Sequence, residues 1–136
     1  MLQKVICIDD DPIALLLSKL VISKAEITSE IVTLPNGQDA LDYLEKEENI
    51  VANRNSPQPL LILLDLNMPV MDGWEFLEQF KKSMYGQYPD AKIILLSSSI
   101  DPQDIQKSKE FEMVVEFFPK PLTKEMLQEI SEKIKA

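Results

Sequence analysis

The sequence predicts an α/β fold, a doubly wound, five-stranded parallel sheet in which five strands alternate with five helices. Short apolar runs recur along the chain without polar alternation, which is typical of strands that are covered on both faces. Stretches with apolar residues at helical spacing separate these runs. The order, strand then helix repeated five times, implies a sheet between two helix layers with right-handed crossovers.

The predicted strands are short. Four of them are almost entirely apolar and cover residues 5–8, 60–64, 93–96 and 114–118. The remaining strand, residues 31–34, is the second along the chain, contains a threonine and follows a glutamate. This mixed composition favours a strand at the edge of the sheet.

The predicted helices cover residues 12–24, 38–47, 73–83, 104–112 and 123–135. Asp11 is suited to cap the first helix, and Pro12 fits the first helical position because its missing N–H needs no partner there. Asp101 as a cap and Pro102 next to it repeat this pattern at the start of the fourth helix.

Two of the predicted segments have few apolar residues. The fourth helix has only Ile105 and Phe111 as large apolar anchors, which suits a helix that can move. The polar, proline-bounded stretch 48–59 predicts a long surface loop.

Composition limits the classes of function. A length of 136 residues suffices for one core, so we expect residues 1–136 to form a single domain. The net charge of −9, without a dense Lys/Arg cluster, argues against nucleic acid as a partner. No apolar run is long enough to span a bilayer, and no signal peptide is recognisable, so no membrane partner and a cytoplasmic location are expected.

The cysteine and histidine content further limits the catalytic and metal-binding groups that the chain can use. Cys7 is the single cysteine and lies inside an apolar run, where we expect it to be a small buried side chain. The chain has no histidine, which removes the commonest general base and the usual zinc ligands. Any chemistry must therefore use carboxylates, hydroxyls, lysine or a hard cation.

Polar residues follow four of the predicted strands. Asp9 and Asp10 follow the first strand, Asp65 the third, Ser97 the fourth and Lys120 the fifth. Ligand sites of open α/β sheets form beyond the carboxyl ends of the strands, so we expect these side chains to converge.

Converging carboxylates require a compensating charge. Two carboxylates about 4 Å apart repel each other by about 4 kcal/mol at an effective dielectric constant of 20, so such a cluster raises a pKa or binds a cation. Oxygen ligands without histidine or cysteine favour a hard ion, and Mg²⁺ (or Mn²⁺) fits best. The three aspartates at 9–11 alone would equally suit a solvated helix cap. Asp65 favours the metal site, because a charge that ends an apolar strand has no packing value.

Asp65 is also suited to act as a nucleophile. A carboxylate can attack phosphorus and form an acyl phosphate, a step that needs a cation and further donors for the phosphoryl oxygens. Lys120 would supply a point charge and Ser97 a hydroxyl donor.

Four segments carry a family resemblance: ICIDDDP, LLDLNMPVMDG, ILLSSS and FFPKPL. In this order and spacing the chain resembles the receiver domains of two-component response regulators over essentially its whole length. The resemblance implies a flavodoxin-like, CheY-like fold with strand order 2-1-3-4-5. It also implies a stand-alone receiver without an output domain.

The resemblance implies roles for the acidic residues. Asp65 would accept the phosphoryl group and contribute to the metal site. Asp10 would bind Mg²⁺ directly and Asp9 through water, and Asn67 would offer its backbone carbonyl. Lys120 would contact the phosphoryl group.

A switch is implied as well. Phosphorylation would draw Ser97 towards the new oxygens and let Phe117, at the aromatic switch position, turn inward. The face formed by the fourth helix, the fifth strand and the fifth helix would then change for a partner. Lys120 and Pro121 would be joined by a cis peptide bond.

The implied function is that of a phosphoacceptor in a phosphorelay. A histidine kinase or a histidine phosphotransfer protein would phosphorylate Asp65, and the signal would pass to an unidentified downstream protein. The chain would catalyse only its own phosphoryl transfer and dephosphorylation, and so would not be an enzyme in the usual sense.

The chain departs from the family pattern in three ways. Met113 and Val114 stand where receivers usually carry a small Gly-Ala pair, which affects the approach to the fifth strand. Phe117 replaces the usual Tyr or His and has no polar atom for a partner. Ser99 lies where the family varies the group that governs dephosphorylation.

Three other interpretations compete. A phosphatase of the haloacid dehalogenase type would need an aspartate two residues after the nucleophile, where Asn67 stands. A flavodoxin-like FMN module would need a Ser/Thr/Gly-rich loop after the first strand, where three aspartates would repel the flavin phosphate. A degenerate receiver that acts only as a scaffold would not need the acidic, hydroxyl and lysine residues that this chain retains.

Overall fold

The computed structural model describes residues 2–135 and contains a five-stranded parallel sheet. The strands lie in the order β2-β1-β3-β4-β5, which confirms the predicted fold class and strand order. Their bounds are β1 Lys4–Ile8, β2 Ile31–Leu34, β3 Leu60–Asp65, β4 Lys92–Ser97 and β5 Val114–Pro119.

Burial follows strand position. β1 and β3 are buried along their whole length, and β4 is buried beyond its first residue. β2 and β5 are only partly buried because they form the two edges. β5 is therefore less buried than predicted, although it is covered on both faces: Val114 and Phe117 pack against the core on one side of the sheet, and Val115 and Phe118 on the other.

Helices cover both faces of the sheet. Their bounds are α1 Pro12–Ala25, α2 Gly37–Glu45, α3 Glu47–Arg54, α4 Gly73–Gln79, α5 Pro102–Ser108 and α6 Lys124–Lys135. α1 and α6 bury Ile22, Leu127 and Ile130 on one face. α2, α3 and α4 pack on the other face, where Leu44 and Phe76 are buried. Across residues 2–135, no helix is both long enough and apolar enough to cross a membrane.

The loop predicted over residues 48–59 is wrong, because α3 begins at Glu47 and ends at Arg54. Ile50 is buried in the core, and the acidic first turn and basic last turn both suit the helix dipole. The side chain of Asn49 donates to the carbonyl of Tyr43 (2.7 Å), which fixes α3 against α2. One buried apolar residue in a polar segment gives no periodic signal, so the sequence did not reveal this helix.

The helix predicted over residues 73–83 is α-helical only as far as Gln79. It continues as a π-helical turn, Phe80–Met84, and a short 3₁₀ turn, Tyr85–Gln87. Both Phe80 and Met84 are buried, so the change of helical pitch keeps these side chains in the core.

The helix predicted over residues 104–112 is α5. Its predicted start, with Asp101 as the cap and Pro102 at the first helical position, is confirmed, but the helix ends at Ser108, earlier than predicted. Asp101 caps it by accepting a hydrogen bond from the N–H of Gln103 (2.8 Å), so the helix begins at Pro102. Ile105 is 39% exposed and does not anchor it. Phe111 is buried, but it lies in the turn after the helix ends.

Candidate functional site

The register of the sheet brings the polar strand ends to one edge. In the β3–β4 ladder Asp65 pairs with Leu96, and in the β4–β5 ladder Ser97 pairs with Pro119. The N–H of Lys120 donates to the carbonyl of Ser97 (2.9 Å), which holds the segment after β5 against the end of β4. Asp9 directly follows β1, so residues from four strands meet at this edge.

The carboxylates converge around one ammonium. Lys120 Nζ lies 2.6 Å from Asp9 Oδ2 and 3.3 Å from Asp65 Oδ1. Asp9, Asp10 and Asp65 each place a carboxylate oxygen within 4.8 Å of the others. Asp9 and Asp65 are buried, whereas Asp10 is exposed.

Two of the three aspartates after β1, Asp9 and Asp11, have different roles. Asp11 caps α1, because its Oδ1 accepts from the N–H of Ile13 (2.9 Å). Asp9 turns inward and accepts from the N–H of Asp11 (2.9 Å). The helix cap and the acidic cluster thus exist together in the same turn.

The hydroxyl of Ser97 lies at the end of β4 beside the loop after β3. It donates to the carbonyl of Ser99 (2.8 Å) and accepts from the side-chain amide of Asn67 (3.4 Å). The backbone N–H of Asn67 donates to Asp65 Oδ1 (3.2 Å). Asn67 therefore touches both Asp65 and Ser97. Its backbone carbonyl as a metal ligand stays a prediction.

Gly73 fixes the loop that follows Asp65. Its N–H donates to the carbonyl of Leu66 (3.0 Å), and a Cβ atom at this position would lie 2.8 Å from Leu66 Cα and 3.0 Å from the carbonyl oxygen of Asp65. Such separations are too short for any side chain, so only glycine permits this close approach. The sequence marked Gly73 as a turn residue but gave no sign of this contact.

Burial makes the largest single contribution to the pKa of Asp65 and to that of Lys120. It raises the pKa of Asp65 to about 6; the N–H of Asn67 acts in the opposite direction, the charge of Asp9 adds to the rise, and Lys120 lowers it. For Lys120, burial lowers the pKa, but the hydrogen bond to Asp9 and the charges of Asp65 and Asp9 outweigh burial and raise it. Asp65 and Lys120 are therefore both ionised near neutral pH.

The remaining predicted residues lie on and after β5. Phe117 is partly buried and packs against the core on the side of α2, α3 and α4. The Lys120–Pro121 peptide bond is cis. Met113, which stands in place of a small residue, is buried in the same core, and the β4–β5 register shifts between Ile93 and Ile94.

The chemistry of these residues fits a hard divalent cation. The cluster offers carboxylate oxygens from Asp9, Asp10 and Asp65, the ligand type that Mg²⁺ and Mn²⁺ prefer. Its charge is only partly compensated, since three carboxylates face a single ammonium.

A family model described as response regulator receiver domain matches residues 5–132. The chain belongs to this family. The receiver is 36% identical over 93 residues to the response regulator Rcp1 of Synechocystis sp., an alignment that covers 66% of the receiver and 58% of Rcp1. It is 31% identical over 127 residues to DctR of Halalkalibacterium halodurans, a probable C4-dicarboxylate response regulator, with 93% of the receiver and 49% of DctR covered.

The receiver also resembles a two component response regulator from Cytophaga hutchinsonii in its fold. That crystal structure superposes with a TM-score of 0.85 at 30% identity and covers 98% of the receiver and 97% of the solved chain. The receiver thus spans only 58% and 49% of the two curated relatives but nearly all of this solved structure. Receivers of this family are two-component signalling domains and not enzymes in the usual sense.

Proposed function

We propose that this receiver accepts a phosphoryl group on Asp65 in a Mg²⁺-dependent reaction and that the reaction switches the α5–β5–α6 face for partner binding. The observation that carries the proposal is the cluster of three carboxylates within 4.8 Å of one another, two of which contact the ammonium of Lys120. Asp9, Asp10, Asp65 and the carbonyl of Asn67 would hold Mg²⁺ (or Mn²⁺). When bound, the ion supplies positive charge for the phosphoryl oxygens.

The phosphodonor in this proposal is a phosphohistidine of a histidine kinase or a phosphotransfer protein, or a small acyl phosphate. A carboxylate oxygen of Asp65 forms the new bond to phosphorus. With a phosphohistidine donor the bond from phosphorus to nitrogen breaks and the imidazole takes up a proton; with an acyl phosphate the bond from phosphorus to the acyl oxygen breaks and a carboxylate leaves. With a pKa of about 6, Asp65 is mostly ionised at neutral pH and available for attack.

Lys120 and Ser97 stabilise the product. Lys120 exchanges its contact with Asp65 for one with the phosphoryl oxygens, to which it contributes a charge-assisted hydrogen bond. Ser97 exchanges its hydrogen bond to the carbonyl of Ser99 for one to the phosphoryl group. The resulting shift of the segment after β4 lets Phe117 turn inward and moves α5.

The switched face is proposed to bind a downstream protein. The phosphatase alternative lacks support at the site, because Asn67 cannot act as a general acid and its amide is turned to Ser97. The FMN alternative is opposed by Asp9, Asp10 and Asp11 beside the end of β1.

The experiment is intact mass spectrometry after incubation with acetyl phosphate and Mg²⁺. We expect the gain of one phosphoryl group, its loss in Asp65→Asn, and its loss on chelation of the metal. Asp90→Asn, at an exposed carboxylate remote in sequence from the site, is the matched control and should be phosphorylated normally. Phosphorylation of Asp65→Asn at the wild-type level would refute the assignment.

A further inference from the structure

The side chain of Met71 lies against the first residue of helix α2. A Cβ atom on Gly37 would lie 3.0 Å from both Cγ and Sδ of Met71 and 3.2 Å from its Cβ. These separations are shorter than an ordinary van der Waals contact, so no larger residue than glycine leaves room for the thioether in this position. Met71 is partly buried and packs against the core on the side of α2, α3 and α4.

Met71 holds the outer part of the loop that joins Asp65 to α4. The two residues before it, Pro69 and Val70, are exposed, and Val70 is 68% exposed. The residue after it, Asp72, caps α4. Met71 is therefore the side chain that attaches this part of the loop to α2.

Few sulfur atoms within residues 2–135 can be reached by a reagent from solvent. Three of the methionines there are buried: Met68, Met84 and Met113. The others, Met71 and Met126, are partly exposed. Cys7 is 2% exposed, and burial raises the pKa of its thiol to about 12, so it is not present as a reactive thiolate. In this part of the chain an oxidant should therefore act first on Met71 and Met126.

We propose that Met71 is an oxidation site, at which a peroxide converts the thioether to a sulfoxide and thereby releases the loop after Asp65 from α2. A lone pair of Sδ attacks one oxygen of the peroxide, the O–O bond breaks, and this oxygen is transferred to sulfur. Sulfur is oxidised and the peroxide is reduced. The other peroxide oxygen takes up the proton that the transferred oxygen loses and leaves as water.

A sulfoxide does not fit the place of the thioether. The sulfur already lies against Gly37, so an added oxygen has no room on that side, and its polarity favours water over burial. We expect the oxidised side chain to turn outward, and the loop then loses its contact with α2.

The loop also carries Asn67, which connects it to the acidic site. The N–H of Asn67 donates to Asp65 Oδ1, and its side-chain amide donates to Ser97. A loop that is free to move holds these groups less precisely, so oxidation of Met71 should slow the phosphorylation of Asp65. This consequence rests on the proposed function, whereas the loss of the contact with α2 does not.

Treatment with hydrogen peroxide, followed by mass spectrometry of peptides, measures oxidation at each methionine. We expect Met71 and Met126 to be oxidised before the three buried methionines. Once Met71 is oxidised, the rate of phosphorylation by acetyl phosphate and Mg²⁺ should fall about fivefold or more. Methionine sulfoxide reductases should restore it. The urea midpoint should fall as well, a readout that does not depend on phosphorylation.

Met71→Leu and Met126→Leu are matched variants. Leucine keeps the volume and apolar character of methionine without its sulfur, so both variants should react at close to the wild-type rate before treatment. After peroxide, Met71→Leu should keep its rate and urea midpoint, whereas Met126→Leu should lose as much as the wild type. Equal losses in Met71→Leu and the wild type would overturn the proposal. So would fully oxidised Met71 with both quantities unchanged.

The two proposals can fail separately. If the untreated wild type gains no phosphoryl group, the proposed function is wrong, and the urea midpoint of the oxidised protein alone decides whether Met71 holds the loop.

The contact with Gly37 has its own test. In Gly37→Ala the new Cβ takes the place of the thioether, which must move towards solvent. Gly37 has no positive φ, so alanine suits its backbone. We expect Met71 to be oxidised about twofold faster or more in this variant, and Met126 at the wild-type rate. Gly86→Ala, where a Cβ would meet nothing within 4 Å, is the control. An unchanged rate at Met71 in Gly37→Ala would contradict the protection of the sulfur by this contact.

Discussion

Lys120 is closer to Asp9 than to Asp65: its Nζ lies 2.6 Å from Asp9 Oδ2 and 3.3 Å from Asp65 Oδ1. One ammonium therefore compensates two buried carboxylates. A divalent cation at the same cluster would share these oxygens with Lys120, so the charge of Lys120 both stabilises the metal-free fold and weakens metal binding.

Lys120→Met should separate these two effects. In metal-free buffer we expect the free energy of unfolding to fall by about 1–3 kcal/mol, because Asp9 and Asp65 lose their compensating charge. The affinity for Mg²⁺ should rise, because a nearby positive charge is removed. Urea unfolding and calorimetric titration measure the two quantities. Lys133→Met, which removes the partner of Glu116 on β5, is the control. A lower Mg²⁺ affinity in Lys120→Met would contradict this account.

Asp65 should make stability depend on pH in an unusual direction. Its pKa is raised to about 6 in the folded chain from an ordinary value of 3.8, mainly by burial. Between these values the folded state binds more protons than the unfolded state, so the contribution of Asp65 makes stability fall as pH rises from about 4 to about 6.

Asp65→Asn should remove this dependence. Without metal at about pH 7.5, we expect the variant to be about 1–3 kcal/mol more stable than the wild type, and the difference should disappear below about pH 4. Urea unfolding at several pH values measures it, with Asp90→Asn as the control. A wild type that is the more stable protein at about pH 7.5 would be inconsistent with the raised pKa.

Gly73 should tolerate no side chain. In Gly73→Ala the new Cβ would lie 2.7 Å from Leu66 Cδ2 and 2.8 Å from Leu66 Cα. Because the second of these atoms is backbone, the loop after Asp65 must shift, and we expect a loss of about 1–3 kcal/mol in the free energy of unfolding. The rate of phosphorylation by acetyl phosphate should fall as well. Gly86→Ala is a matched control, since a Cβ there would meet nothing within 4 Å. Equal stability of the two variants would count against the close approach.

The acidic site could be predicted because its residues lie at or just after the ends of apolar runs. Parallel strands deliver their carboxyl ends to one edge, so Asp9, Asp65 and Lys120 converge whatever the details of the helices. The strand order could be predicted only from the family resemblance, since apolar runs do not specify which strands are neighbours.

What the sequence missed depends on single contacts. α3 rests on Ile50 in an otherwise polar segment, and α5 ends at Ser108, before a turn that buries Phe111. Periodicity averages over several turns and cannot detect a helix with one buried residue. The contact of Gly73 with the end of β3 is a tertiary contact, and no local sequence pattern predicts it.

α5 is attached to α4 through a small group of side chains near the site. The rings of Trp74 and Phe111 stack with centroids 6.2 Å apart, and the ammonium of Lys107 lies 4.6 Å from the centroid of Trp74. Lys81 lies 5.4 Å from the centroid of Phe111. Only Ser108 of α5 itself is buried, so these contacts are a substantial part of what holds the helix in place.

Trp74 should therefore report the position of α5. It is the single tryptophan of the chain, and its emission should change on phosphorylation by acetyl phosphate and Mg²⁺ if α5 moves away from α4. Lys107→Met should alter the emission before phosphorylation and reduce the change on phosphorylation. A cation–π contact at a solvent-accessible site contributes about 0.5–1 kcal/mol. Because the variant loses this contact, the population in which α5 is free to move should rise about two- to fivefold, and phosphorylation should be faster by the same factor. Lys109→Met, one residue beyond the helix end and exposed, should behave as the wild type. An emission that stays constant while mass spectrometry records full phosphorylation would mean that α5 keeps its contact with Trp74 in the phosphorylated state.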